Sequence, residues 1–154
     1  MSMEQLTVYF GVDPGWKNGG FTVCVDGNPK NLIAYNLNDT AEFLDHLREY
    51  KGFDRQIILE EIPFYVGKNI PSSTGVKLGF SAGLIEGIAL GENIPLHKVK
   101  PKKWQGGLSG LKGTSGAERK RILRGHAARL YPHLSPTLRT CDAILITNFF
   151  INNN

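Results

Sequence analysis

Cysteine is scarce: the chain of 154 residues has two, Cys24 and Cys141. Two cysteines so far apart supply neither a zinc-ligand spacing nor a disulfide framework, and they fit a reducing, cytoplasmic setting. No apolar run approaches the ~20 residues needed to span a bilayer, so no membrane role is expected. Met1–Thr7 lacks a charged region followed by an apolar one, and no signal peptide is read there. There is no internal repeat, no low-complexity linker and no break in composition. With 41% hydrophobic residues, the chain is expected to form one domain, 1–154, with a buried core.

Acidic residues are nearly missing from one stretch. Residues 97–129 hold His97, Lys98, Lys100, Lys102, Lys103, Lys112, Arg119, Lys120, Arg121, Arg124, His126 and Arg129, opposed only by Glu118. The net charge of +4 says little, but this clustering suits a polyanion. One basic helix would read as a solvated face. Here the charge continues through a strand, a loop and a helix, which favours nucleic acid.

Leu6–Val12 reads as a first strand, closed by the turn signal Asp13-Pro14-Gly15. Gly20–Val25 reads as a second strand, and Asp26-Gly27-Asn28-Pro29 as a turn into a third, Asn31–Tyr35. Asp39 or Thr40 can cap a helix through Tyr50, with Phe43, Leu44 and Leu47 at helical spacing. Gln56–Leu59 is a short apolar strand running into Glu60-Glu61. Ile62–Ser73, with its prolines, reads as a loop. Thr74–Leu90 reads as a helix whose small residues permit close packing, against the sheet or against another helix. Leu96–Val99 is a fifth strand. The glycine-rich Gly106–Gly116 reads as a mobile loop, and Ala117–Leu130 and Leu138–Phe150 as the last helices. Hairpins first and crossovers later imply an α/β fold, a five-stranded mixed sheet with helices on both faces.

Three acidic residues stand out against that frame. Asp13 and Glu60 end apolar strands, where a carboxylate is presented at the sheet edge, and Asp142 precedes the apolar run of the last helix. Taken singly, Asp13 fits a turn residue, Glu60 a surface charge and Asp142 a helix cap. Together, clustered carboxylates repel one another and call for a cation. Oxygen donors favour Mg2+, with Mn2+ able to substitute. Two such ions ~4 Å apart can hold the attacking water and the leaving oxygen of a phosphodiester.

These segments resemble the RuvC-type Holliday-junction resolvases, of the ribonuclease H-like superfamily. GVDPGWKNGGFTV resembles their first-strand motif and implies Asp13 as a metal ligand. IILEEIPF resembles the second motif, implying Glu60 as ligand and Glu61 as its neighbour. STGVKLGFSAGLIEGI, IPLHKVKPKKWQ and SGAERKRI resemble the long helix, fifth strand and basic helix of bacteriophage members. CDAILIT resembles the closing helix, with Asp142 as ligand. The match runs in order through roughly residues 6–150. Many members carry another acidic residue three or four positions before the last aspartate, where this chain has Arg139 and Leu138. Their Pro-x-x-(Val/Trp)-Lys segment often ends in lysine, where this chain has Gln105.

The resemblance implies a Mg2+-dependent homodimeric endonuclease that nicks four-way junctions symmetrically and leaves ligatable ends. It implies the Thr74–Leu90 helix as a dimer surface and an aromatic, Phe64 or Tyr65, able to wedge into the junction. A core contact under the loop is the plainer reading of those two rings. Lys98, Lys100, Lys102, Lys103, Arg119, Lys120 and Arg124 are expected on phosphate. Arg139, placed three before Asp142 on one helix face, is expected to turn outward onto phosphate as well. Three other readings are open: a branched-DNA-binding protein without catalysis, a ribonuclease H acting on RNA–DNA hybrids, and a sugar-kinase-like ATPase. The last needs a second domain for which there is no room.

Overall fold

A computed structural model describes residues 5–65 and 67–154; most of the segment read for a signal peptide, residues 1–4, lies outside them. Five strands form one mixed sheet: β1 Thr7–Asp13, β2 Gly20–Val25, β3 Leu32–Asn36, β4 Asp54–Glu60 and β5 Leu96–Val99. The order across it is β3-β2-β1-β4-β5. The β1–β2 and β2–β3 pairs are antiparallel, as expected of consecutive hairpins. The β1–β4 and β4–β5 pairs are parallel and need helical crossovers.

Helix α1, Thr40–Glu49, starts where Asp39 accepts a hydrogen bond from the Ala41 amide at 2.8 Å. It packs Phe43 and Leu47 onto one sheet face. Helix α2, Ser72–Gly91, adds Ala82, Ile85 and Ala89 to the same face. The other face carries α3, Pro101–Gln105, then α4, Gly116–Leu130, and α5, Cys141–Asn153. Alternation along the central strands feeds both layers. Val8, Phe10, Val12, Ile57 and Leu59 point to α1 and α2, and Ile58 points to α3–α5. Because α5 lies between the sheet and α4, it is apolar almost all round.

Among the described residues no helix is long and apolar enough to cross a membrane. Apart from shifts of one to three residues at element ends, three details differ from the sequence reading. The short helix α3 had not been expected. The last helix begins at Cys141 rather than Leu138, because Thr137–Thr140 forms a tight turn: the Thr137 amide bonds Thr140 Oγ1 at 3.0 Å, and Thr137 O accepts from the Cys141 amide. The glycine-rich Gly106–Gly116 is anchored rather than loose. Leu111 is buried, its carbonyl accepts from Thr114 Oγ1 at 2.6 Å, and Ser109 O bonds His126.

Candidate active site

The site forms at the carboxyl ends of β1 and β4, where α/β sheets commonly place their ligands. Val12 pairs with Leu59 across these parallel strands, so the next residues, Asp13 and Glu60, stand side by side. Two glycines let a third carboxylate join them. A Cβ at Gly11 would run into the Thr147 hydroxyl, and one at Gly20 would run into the Arg139 carbonyl. With neither present, α5 lies directly on β1 and β2. Thr22 and Thr147 hydroxyls meet at 2.6 Å beneath it, and Asp142, in the first turn of α5, reaches Asp13. A carboxylate there is also favoured by the helix dipole.

Lys120 of α4 binds two of the three. Its Nζ lies 2.5 Å from Asp142 Oδ2 and 3.7 Å from Asp13 Oδ2. Glu60 has a different partner: the buried Trp104 donates its indole N–H to Oε2 at 2.9 Å. Burial, aided by the charge of Asp142, pushes the Asp13 carboxyl up to about 7, against the opposing pull of Lys120. Burial and the neighbouring Asp13 and Asp142 push Glu60 up to about 8. Burial lowers the affinity of Lys120 for its proton, but Asp142 and Asp13 outweigh it, and the ammonium is held more firmly than usual.

Such a cluster is short of positive charge. Its donors are all carboxylate oxygens, partly or wholly withdrawn from water, which is the chemistry of a hard divalent cation. Among the described residues no three acidic, histidine or cysteine side chains converge at ligand distance as they stand. Lys120 holds two of the carboxylates instead, and the donor set fits Mg2+ or Mn2+ if that ammonium shifts.

The residues expected on DNA divide into two groups. Lys100, Lys102, Lys103 and Arg124 are exposed, and Phe64 and Tyr65 stand in solvent at 114% and 68% relative exposure. Neither ring is a core contact. Four others have partners within the chain. Lys98 pairs with Glu86 at 2.7 Å, and Lys120 is on the carboxylates. Arg119 gives its guanidinium to Gln105, to Leu111 O at 2.9 Å and to Thr114. Arg139 sits in the turn before α5, off the helix face of Asp142, and donates to Leu37 O at 3.2 Å. Its guanidinium thus neither faces the carboxylates nor stands free at the surface. Sequence reasoning quoted Trp104 and Gln105 in the Pro-x-x-Trp resemblance but gave neither a part in the carboxylate site; that resemblance, and Pro101, suited to the first position of a helix, were the available signals.

The same architecture is known elsewhere. Thermus thermophilus RuvC in complex with a Holliday junction substrate superposes with a TM-score of 0.59 and 17% identity, over 94% of this chain and 95% of that one. The fold is that of the RuvC resolvases. A second Thermus thermophilus RuvC structure matches with a TM-score of 0.52 at 19% identity, over the same shares. In sequence, the crossover junction endodeoxyribonuclease RuvC of Cytophaga hutchinsonii is 27% identical over 115 residues, 67% of this chain. The chain spans about half, 56%, of that RuvC's length. No family model matches. The five-stranded mixed sheet with helices on both faces is therefore a ribonuclease H-like fold of RuvC type, as the sequence led us to expect.

Proposed function

We propose that this protein is a metal-dependent endonuclease that nicks four-way junctions or related branched DNA. The observation that carries the reading is the convergence of Asp13, Glu60 and Asp142 at the strand ends of a RuvC-type fold, under a basic surface. In this reading Asp13, Glu60 and Asp142 would hold the Mg2+ that a two-metal hydrolysis uses. When bound, Mg2+ supplies the charge that sharpens the attacking water and stabilises the departing oxygen. Water adds to phosphorus and gives up a proton to solvent, the bond to the 3′ oxygen breaks and that oxygen takes up a proton, and a 5′-phosphate and a 3′-hydroxyl remain. Lys120 holds Asp13 and Asp142 against mutual repulsion before the cation arrives. Lys100, Lys102, Lys103 and Arg124 bind phosphate. Phe64 and Tyr65 offer stacking on unpaired bases, worth ~1–3 kcal/mol per base. The Pro101-x-x-Trp104 segment supports a place in the bacteriophage-like branch.

Two symmetric nicks need two sites, and α2 supplies a surface for a homodimer. Its outward face carries Val76, Phe80 and Leu84, with Leu90 85% exposed. Between them run Gly79, Gly83 and Gly87, whose Cβ positions meet nothing within 4 Å among the described residues. Each glycine costs a helix ~1 kcal/mol against alanine, so close approach by a second α2 gives them a use that packing on the sheet does not. Sedimentation should show a dimer, and Gly83→Leu should yield monomers. A wild-type monomer, free and on junction DNA, would remove this part of the reading.

The test of activity is incubation with a four-way junction, a flap and linear duplex, with and without Mg2+, mapping the cuts. Paired nicks confined to branched substrates are expected. One observation favours a binding protein without catalysis: Lys120 engages two of the carboxylates, and among the described residues no three donors stand at metal-ligand distance. Junction binding with no cutting in Mg2+ or Mn2+ would establish that alternative.

A further inference from the structure

Glu60 is the member of the cluster that Lys120 does not hold, and its orientation comes from a separate source. Trp104 is 3% exposed, and the sole polar atom of its ring donates to Glu60 Oε2. A buried indole N–H needs some acceptor, so the bond alone could merely satisfy the tryptophan. The surroundings of α3 say more. The next residue, Gln105, is held by Arg119, whose Nε reaches Gln105 Oε1 at 3.1 Å and whose Nη2 reaches the same oxygen. Arg119 in turn fastens Leu111 O. The five-residue helix that carries Trp104 is thus clamped to α4, and the residue after Arg119 is Lys120, which holds Asp13 and Asp142. Adjacent residues of α4 therefore fix both halves of the cluster, one directly and the other through Gln105 and Trp104.

We propose that Trp104 is a positioning residue: its N–H fixes Oε2 of Glu60 and leaves Oε1 for the divalent cation, while the Gln105–Arg119 clamp fixes Trp104. The inference rests on reading the cluster as a cation site. It also gives Gln105 a purpose, at the position where similar proteins often carry lysine. Groups that orient a metal ligand commonly account for 10–100-fold in affinity.

The test is Mn2+ binding, followed by the electron-spin resonance of the free ion, in wild type, Trp104→Phe and Gln105→Leu. Phenylalanine keeps an aromatic ring and removes the donor; leucine at 105 frees the clamp and leaves the indole. Trp104→Phe should weaken Mn2+ on the order of 10–100-fold, and Gln105→Leu by less, with junction binding in EDTA unchanged. A second readout uses Trp16→Phe, in which Trp104 is the sole tryptophan. Its emission should shift on adding Mg2+, and the shift should vanish when Glu60→Gln is added. Wild-type Mn2+ affinity in Trp104→Phe, or emission indifferent to Mg2+, would overturn the positioning role while wild type still binds Mn2+. A wild type that binds no Mn2+ would overturn the cation site and this inference with it.

Discussion

Replacing Asp13 by asparagine should stabilise the metal-free protein while abolishing cutting. Asp13 is buried, and its carboxyl is raised from the ordinary 3.8 to about 7, chiefly by burial and then by Asp142. An acid with a raised folded-state pKa binds its proton more tightly folded than unfolded. Stability is then greatest below the unfolded pKa and falls as pH rises toward the folded one, here between about pH 4 and pH 7. Each unit is ~1.4 kcal/mol. Allowing for the Lys120 contact that asparagine forfeits, relief on the order of 2–4 kcal/mol follows at pH 8. For a chain of this size that is roughly 5–10 °C in Tm. Calorimetry of wild type and Asp13→Asn in EDTA should show nearly equal Tm at pH 4.5 and a gap opening toward pH 8. Mg2+ should narrow the gap, because it stabilises only the ionised cluster. An Asp13→Asn variant less stable than wild type at pH 8 would refute the claim that this carboxylate is held against its preference.

Further outcomes follow from the same contacts. Gly11→Ala drives a methyl into the Thr147 and Thr22 hydroxyls, and overpacking of this kind costs ~1–3 kcal/mol or more; thermal unfolding should show it, with cutting reduced as α5 is displaced. Glu61→Gln should leave cutting near wild type, because it is Glu60 that takes the Trp104 bond. Alanine at Lys102, Lys103 or Arg124 should each lower the salt slope of junction binding by about one, whereas Arg119→Ala should mainly lower Tm, since its guanidinium is bonded internally. Arg139→Ala should lower Tm through the lost Leu37 contact and leave Mg2+ demand unchanged.

Elements with strong local signals were legible in the sequence. β2 and β5 fall on the expected residues, and α1 is capped by Asp39, one of the two residues read as able to cap it. Asp13 and Glu60 were legible as strand-end carboxylates, but that their strands are neighbours, which sets the two side by side, comes from the parallel β1–β4 pairing of the structure. What escaped was either too short for periodicity or set by distant contacts. Five residues of α3 give no repeat to read. The start of α5 was placed early because Leu138 extends its apolar pattern, while the threonine turn that delays the helix depends on side-chain bonds. Lys120 and Asp142 lie 22 residues apart, and Trp104 and Glu60 lie 44 apart. A basic residue reads the same in sequence whether it meets phosphate or carboxylate, so Lys120, Arg119, Lys98 and Arg139 all looked like surface contacts. Burial and geometry separate them.

The most direct measurement of the central claim is single-turnover cleavage of a synthetic four-way junction in Mg2+ by wild type and by Asp13→Asn, Glu60→Gln and Asp142→Asn, with binding followed in parallel by gel shift. All four proteins should bind the junction, and only wild type should cut it, in paired nicks. Cutting at the wild-type rate by any of the three variants, or equal cutting of linear duplex by wild type, would contradict it.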